Sequence, residues 1–220
     1  MKSICLLSRR ADLSPQQFRD YYENTHAVLG AKHFPFTRYA RNHLHATPEQ
    51  SANFNCYSEF WSDDMPGIVT MMSGPIGALF AEDEARFMDR SLIRPAMATE
   101  HRLAGPSTPP LSDRKYAQFF TRAANISDAE WHDTLQTYGA RWLSAAQAPI
   151  TGLVLDVISS WPGVTFPFDA VLQASIGGAS TQISAPPLPA ALVCVHSAWM
   201  DTTETPPETL LSNQPTGARV

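Results

Sequence analysis

No stretch of 18 or more consecutive apolar residues occurs in this 220-residue chain, so no membrane-spanning helix is expected. A short apolar run follows Lys2, but Arg9, Arg10 and Asp12 end it before the core of a secretion signal forms. Cysteine is scarce: Cys5, Cys56 and Cys194 are odd in number and none forms a CxxC pair. That argues against a disulfide framework or structural zinc site and for free thiols in a reducing compartment. Cations are in deficit, with 16 Lys and Arg against 21 Asp and Glu, a formal charge of -5. The chain therefore lacks the electrostatic footprint of a nucleic-acid or anionic-membrane binder. Also missing are a GxSxG elbow, a GxxxxGK[ST] loop and a GxGxxG turn after a strand. What remains is a soluble cytoplasmic protein acting on a small molecule, with no nucleic-acid or membrane partner.

What is present is a helix written twice, 113 residues apart. Ser14-Pro15-Gln16-Gln17 opens one copy and Ser127-Asp128-Ala129-Glu130 the other, each with the spacing of a capping box. Phe18, Tyr22 and Leu29 in the first correspond to Trp131, Leu135 and Trp142 in the second, where Tyr138 adds to the same apolar stripe. The correspondence fails at His26, which falls opposite Gly139. Any catalytic centre is thus expected to be asymmetric and to lie in the first half.

Around the first helix, Ser14 to about Lys32, the pattern predicts strands at Lys2–Arg9, Phe36–His45 and Asn53–Ser62, the last two joined by a Thr47-Pro48-Glu49 turn. A second helical stretch begins at Pro66-Gly67, breaks at Gly74-Pro75 and resumes to Asp89; a strand at Ser91–Leu103 follows. This is the order of a split βαβ, ferredoxin-like unit. Beyond Gly105–Pro110 come strands at Lys115–Ala123, Ile150–Ser160, Phe168–Gly177 and Ala191–Met200. Pro186, Pro187 and Pro189 leave no room for a second helix. The expected fold is α+β: a ferredoxin-like unit at 1–104, a linker at 105–112, a degenerate second unit at 113–201 and an extended tail at 202–220. Two such sheets, each bare on one face, are expected to close into an intrachain α+β barrel around a ligand cavity. Polar residues of the first half would line it, and Leu153, Leu155, Val157 and Val171 of the second would wall it.

The motifs Leu13-Ser14-Pro15-Gln16-Gln17-Phe18, Thr25-His26-Ala27, Arg38-Tyr39 with Asn42-His43, Ser58-Glu59-Phe60-Trp61 and Glu82 to Asp89 occur in order. Over residues 2–95 the chain resembles the EthD family of dimeric α+β barrel proteins, and His26 matches a characteristic histidine of that family. The resemblance implies breakdown of small organic compounds, or cofactor-free cyclisation, dehydration, isomerisation or decarboxylation of aromatic and polyketide-like substrates. It also implies a barrel built from two chains; the internal duplication allows one chain to suffice and leaves a homodimer open.

His26 lies beside the apolar stripe, where an imidazole is either a satisfied core group or an acid/base with a suitable pKa. Alternation on the following strand puts Tyr39, Arg41, His43 and His45 on one face. Tyr39 is the expected oxyanion donor to a His26 base. Tyr22, Arg41, His43, Cys56, Phe60 and Leu153 are the expected substrate contacts, although Arg41 and His45 can equally face solvent at the strand end and Cys56 can be a small buried hydrophobe. His43-x-His45 with Cys56 or Glu59 also permits a metal reading, too weak to assign one. The acidic run Glu82-Asp83-Glu84 reads as a solvated helix face. No cofactor is assigned. The rivals are a non-catalytic binder of a hydrophobic metabolite and a haem protein ligated by His132 or His196.

Overall fold

The computed structural model describes residues 1–45, 53–106, 114–145, 149–161, 163–178 and 183–211. The expected turn at Thr47–Glu49 and residues 107–112 of the expected linker lie outside them. The fold is mixed α+β, and no helix among the described residues is long and apolar enough to cross a membrane. The chain forms two compact units, neither contiguous in sequence: one takes residues 1–43, 53–96 and 203–211, the other 44–45 and the described residues of 97–202.

In the first unit, β1 (Lys2–Leu7), β3 (Cys56–Ser62) and β2 (Phe36–Leu44) pair antiparallel in that order, with Tyr39 opposite Phe60 and Arg41 opposite Ser58. The expected first helix forms, but in pieces: α1 (Pro15–Tyr21), a π-helical turn (Tyr22–His26) and α2 (Ala27–His33). Its capping box closes as the sequence requires, Gln17 N donating to Ser14 Oγ (3.2 Å) and Ser14 N to Gln17 Oε1 (2.8 Å). The π turn carries one extra residue, its Ala27 amide bonding back to the Tyr22 carbonyl. Residues beyond it are rotated, so Gly30 and Ala31 are buried in the core while Leu29 packs only at its edge, and Gly30 sits close to the Tyr39 ring. Helices α3 (Met65–Met72) and α4 (Pro75–Glu84) break at Gly74-Pro75 as expected, and α4 turns Phe80 inward. Phe18, Tyr22, Tyr39, Phe80 and Phe87 form the heart of the helix-covered core.

The segment expected to be an extended tail is built in as far as residue 211. A long strand, β8 (Leu192–Glu204), runs past Met200 and a short helix, α6 (Pro207–Leu211), follows. Glu204 makes a two-point ion pair with Arg38, Thr205 N donates to the Tyr39 carbonyl, and Leu210 is buried in the first unit's core. These anchors outweigh the prolines that suggested disorder.

In the second unit β8 pairs with β5 (Arg114–Arg122), β5 with β7 (Ala170–Ile176) and β7 with β6 (Ile150–Ser160), all antiparallel. The long strand β4 (Arg94–Ala104) begins in the first unit and continues into the second. One helix, α5 (Asp128–Ala145), covers the β5–β7–β6 sheet with Trp131, Leu135, Tyr138 and Trp142, and the Ser127 hydroxyl caps it by accepting from Glu130 N. Leu153, Leu155 and Val157 pack beneath α5 and do not wall the opposite face. That face carries Val171 as expected, but beside it Asp156, fully buried and accepting from Gln173 Nε2 at 3.0 Å, so it is not the wholly apolar surface expected. Strand parity is the reason: odd residues of β6 point to the helix and even ones away.

Candidate functional site

The side chains singled out on β2 and β3 point under the helices, not to the bare face. Tyr39, Arg41 and His43 of β2, with Cys56, Ser58 and Phe60 of β3, all meet α1, the π turn or the core beneath them. The opposite face of this sheet holds Lys2, Asn42 and Glu59, with Lys2 Nζ 2.8 Å from Glu59 Oε1 and Asn42 Nδ2 donating to Glu59 Oε2 at 2.7 Å. The polar cluster named from sequence is therefore gathered between layers of a single unit.

His26, at the end of the π turn, is buried against Tyr22, Phe80 and Phe87, with ring centroids 5.0–5.4 Å away. Its Nδ1 lies 2.7 Å from Asp83 Oδ2 on α4, and Tyr21 Oη donates to Asp83 Oδ1 at 2.8 Å. Asp83 thus accepts from both, which fixes the ring and puts the proton on Nδ1. Among the described residues, Nε2 makes no hydrogen bond. Burial lowers the His26 pKa below its ordinary 6.5, and Asp83 opposes but does not cancel the effect. At neutral pH the imidazole is uncharged and offers a lone pair at Nε2.

Tyr39 is not joined to His26. Its hydroxyl donates to Tyr22 Oη at 3.0 Å, which in turn lies 2.7 Å from Ser58 Oγ. Burial holds both tyrosine pKa values above the ordinary range. Arg41 is not at the surface: only 3 % exposed, it reaches Glu23 with Nε and Nη2 (2.8 Å for the latter), donates to Thr205 Oγ1 at 2.6 Å and lies over the Tyr39 ring. His43 Nε2 shares Glu23 Oε1 at 2.5 Å. Burial opposes ionisation of Glu23, yet the bonds from His43 and Arg41 prevail and hold its pKa below the ordinary value. His45 belongs to the second unit, where Asp201 (2.8 Å) and Arg114 (3.0 Å) bind it, so the two histidines of the His-x-His pair serve different carboxylates. Cys56, wholly buried beside Ser58, has its thiol pushed up to about 12 chiefly by burial, which suits an inert hydrophobe. Phe60 stacks on Tyr39 at 4.8 Å, and Leu153 is in the α5 core.

The two haem candidates both lie in the second unit, whereas His26 is in the first. His132 is on the exposed side of α5 with Nδ1 2.8 Å from the Asp128 carbonyl, and the His196 ring packs on Phe119 at 5.6 Å.

The residue sequence reasoning missed is Asp83. Far from being solvated, it is 6 % exposed, and the signal lay in its spacing, three after Phe80 and four before Phe87. Glu23 and Thr205 were also missed; one depends on the π turn and the other on the folded-back C-terminal segment. On the outer side of Asp83, a groove of about 380 Å³ runs between α2 and α4, with Val28 and Leu79 on its walls, 60 % and 41 % exposed.

Residues 10–91 match the EthD domain, the family whose motifs the sequence resembles. No curated protein matches the chain. Among solved structures, a candidate chlorite dismutase aligns with 80 % of this chain and 79 % of its own at 8 % identity and a TM-score of 0.42. A candidate monooxygenase from Lactobacillus acidophilus aligns with 80 % and 75 % at 10 % identity and the same TM-score. At such scores the likeness says nothing about chemistry.

Proposed function

We propose that the first unit is a cofactor-independent acid/base enzyme of lyase, isomerase or cyclase type, with His26 as the proton-transfer group. The observation that carries this is the Tyr21–Asp83–His26 relay: a buried neutral imidazole, oriented through Nδ1 by a carboxylate that is itself held, with Nε2 unengaged. Reactions of these types redistribute protons without net electron transfer, so a positioned imidazole supplies what the chemistry needs. Tyr39 serves the site indirectly, its hydroxyl holding that of Tyr22, whose ring lies 5.3 Å from His26. The aromatic setting of Tyr22, Phe80 and Phe87 and the EthD match favour a small oxygenated substrate, aromatic or polyketide-like. Beneath this lies a reading of the chain as a tandem pair of ferredoxin-like units, the second degenerate, which the capped helices at Ser14 and Ser127 support.

Solvent deuterium exchange into the acidic C–H positions of phenolic and keto-acid compounds tests the proposal before the full reaction is known. A His26 base gives exchange in the wild type that falls about 10²- to 10⁴-fold in His26→Ala. Exchange within a few-fold of wild type in a folded His26→Ala protein would reject it and favour a binding protein, for which the exposed apolar walls of the α2–α4 groove already speak.

A further inference from the structure

The α2–α4 groove has a polarity along its length. Phe80, near the start of α4, packs on His33 at the end of α2, and Phe87 beyond α4 packs on Tyr21 and Tyr22. The helices are therefore antiparallel, which places Lys32 beside Leu79 at one end of the groove and Thr25 beside Asp83 and Arg86 at the other. Lys32 and Thr25 are seven residues apart, about 10 Å along a helix. Between them the walls are Val28 and Leu29.

The charges are unequally committed. Arg86 is paired with Glu82 at 2.6 Å, and Asp83 is taken by His26 and Tyr21. Lys32 makes no ion pair among the described residues and is exposed. One end thus carries an uncompensated cation, the middle is apolar apart from Glu82, whose charge Arg86 takes up, and the far end offers the Thr25 hydroxyl next to the carboxylate that orients His26. The volume is near the lower bound for small-molecule sites, enough for one ring with a short side chain.

We infer that this groove binds a small amphipathic carboxylic acid about 10 Å long, its carboxylate on Lys32, its apolar body on Val28, Leu29 and Leu79, and its oxygenated end beside Thr25 and Asp83. That the acid is the substrate rests on the acid/base reading of His26; that it binds does not. An occupant touching Asp83 perturbs the His26 ring bonded to it.

The probe is 3-(4-hydroxyphenyl)propanoate, with its methyl ester as the neutral control, titrated into the full chain and followed by backbone amide and histidine ring resonances. The acid should shift amides of residues 24–32 and 79–86 together with His26, and bind more tightly than the ester. Lys32→Met should weaken the acid about two- to five-fold, the range of an exposed ion pair, and leave the ester unchanged. Leu79→Asp should weaken both. Equal binding of acid and ester, an acid affinity indifferent to Lys32→Met, shifts mapping elsewhere, or shifts that follow protein concentration without probe and so mark a second copy in the groove would each overturn the inference. Repeating the titration with His26→Ala separates the two proposals. Retained binding with deuterium exchange unaffected leaves the groove standing and the acid/base reading rejected, whereas lost amide shifts in wild type with exchange intact do the reverse.

Discussion

Replacing Asp83 by Asn removes a charge while keeping shape, and the geometry says how much that should matter. Two bonds converge on the carboxylate, from Tyr21 Oη at 2.8 Å and His26 Nδ1 at 2.7 Å, and both His26 and Asp83 side chains are about nine-tenths buried. A bond to a charged acceptor is worth about 1.5–3 kcal/mol and a neutral one about 0.5–1.5, so each loses roughly 1 kcal/mol, or about 2 kcal/mol for the pair. For a chain of this size that corresponds to a fall of about 4–8 °C in Tm. The amide also has a single oxygen. If it stays with Tyr21, its NH2 faces His26 Nδ1, which must then accept, and the ring proton moves to Nε2. The atom proposed as base loses its lone pair. Burial already lowers the His26 pKa, and Asp83 is the group that opposes it, so the pKa should fall further in Asp83→Asn. Nitrogen-edited NMR of the imidazole across pH 4–8 reads tautomer and pKa together, and a thermal melt supplies the energy. An unchanged tautomer with an unchanged or raised pKa would refute the orienting role of Asp83, whatever the melt shows.

Two further outcomes follow from the same buried network. The His26 pKa is lower folded than unfolded, so on acidification the unfolded chain takes up the proton first; stability is full above about pH 6.5 and declines as pH falls through the folded value, with Glu23 adding the same sign below its ordinary 4.5. Urea unfolding at pH 7, 5.5 and 4 should show a stepwise loss, smaller across the first step in His26→Gln; a chain more stable at pH 5.5 than at 7 would contradict the assignment. Arg41→Met should cost about 3–5 kcal/mol because it strands the Glu23 carboxylate beside His43, while Glu23→Gln with Arg41→Met should cost less than the sum of the single changes. Additive losses in that double-mutant cycle would mean that the pair is not coupled.

Much of the fold was legible because local signals agreed with the final structure. Ser14-x-x-Gln17 starts a helix where its side chains close a capping box, Gly74-Pro75 separates two helices, and Ile150–Ser160 is a strand from end to end. Two features escaped for physical reasons. The π turn at Tyr22–His26 leaves no mark in apolar spacing; a regular helix would align Leu29 with Tyr22, and only the finished packing prefers Gly30 against Tyr39. The C-terminal segment looked like a tail because its residues are Pro and Thr. Its order comes from distant partners, Arg38, Arg41 and the Tyr39 carbonyl, which no local window contains.

The candidate site shows where alternation stops being informative. Period two correctly placed Tyr39, Arg41 and His43 on one face, but it cannot say which side of a sheet the helices take. The sequence reading put the polar face toward the bare side, since covered faces are usually apolar. Here the covered face is polar because it is satisfied internally: Glu23 neutralises Arg41 and binds His43, and three hydroxyls from Tyr39, Tyr22 and Ser58 bond in a chain. Complete pairing is what makes such a cluster tolerable under helices. By the same test His26 stands apart, because its Nδ1 is fully provided for while its Nε2 is left unengaged among the described residues. A group held so firmly on one side and left open on the other is arranged to exchange a proton with something that is not part of the chain, and this is why the proposal rests on His26 and not on the more conspicuous Arg41–Glu23–His43 cluster beside it.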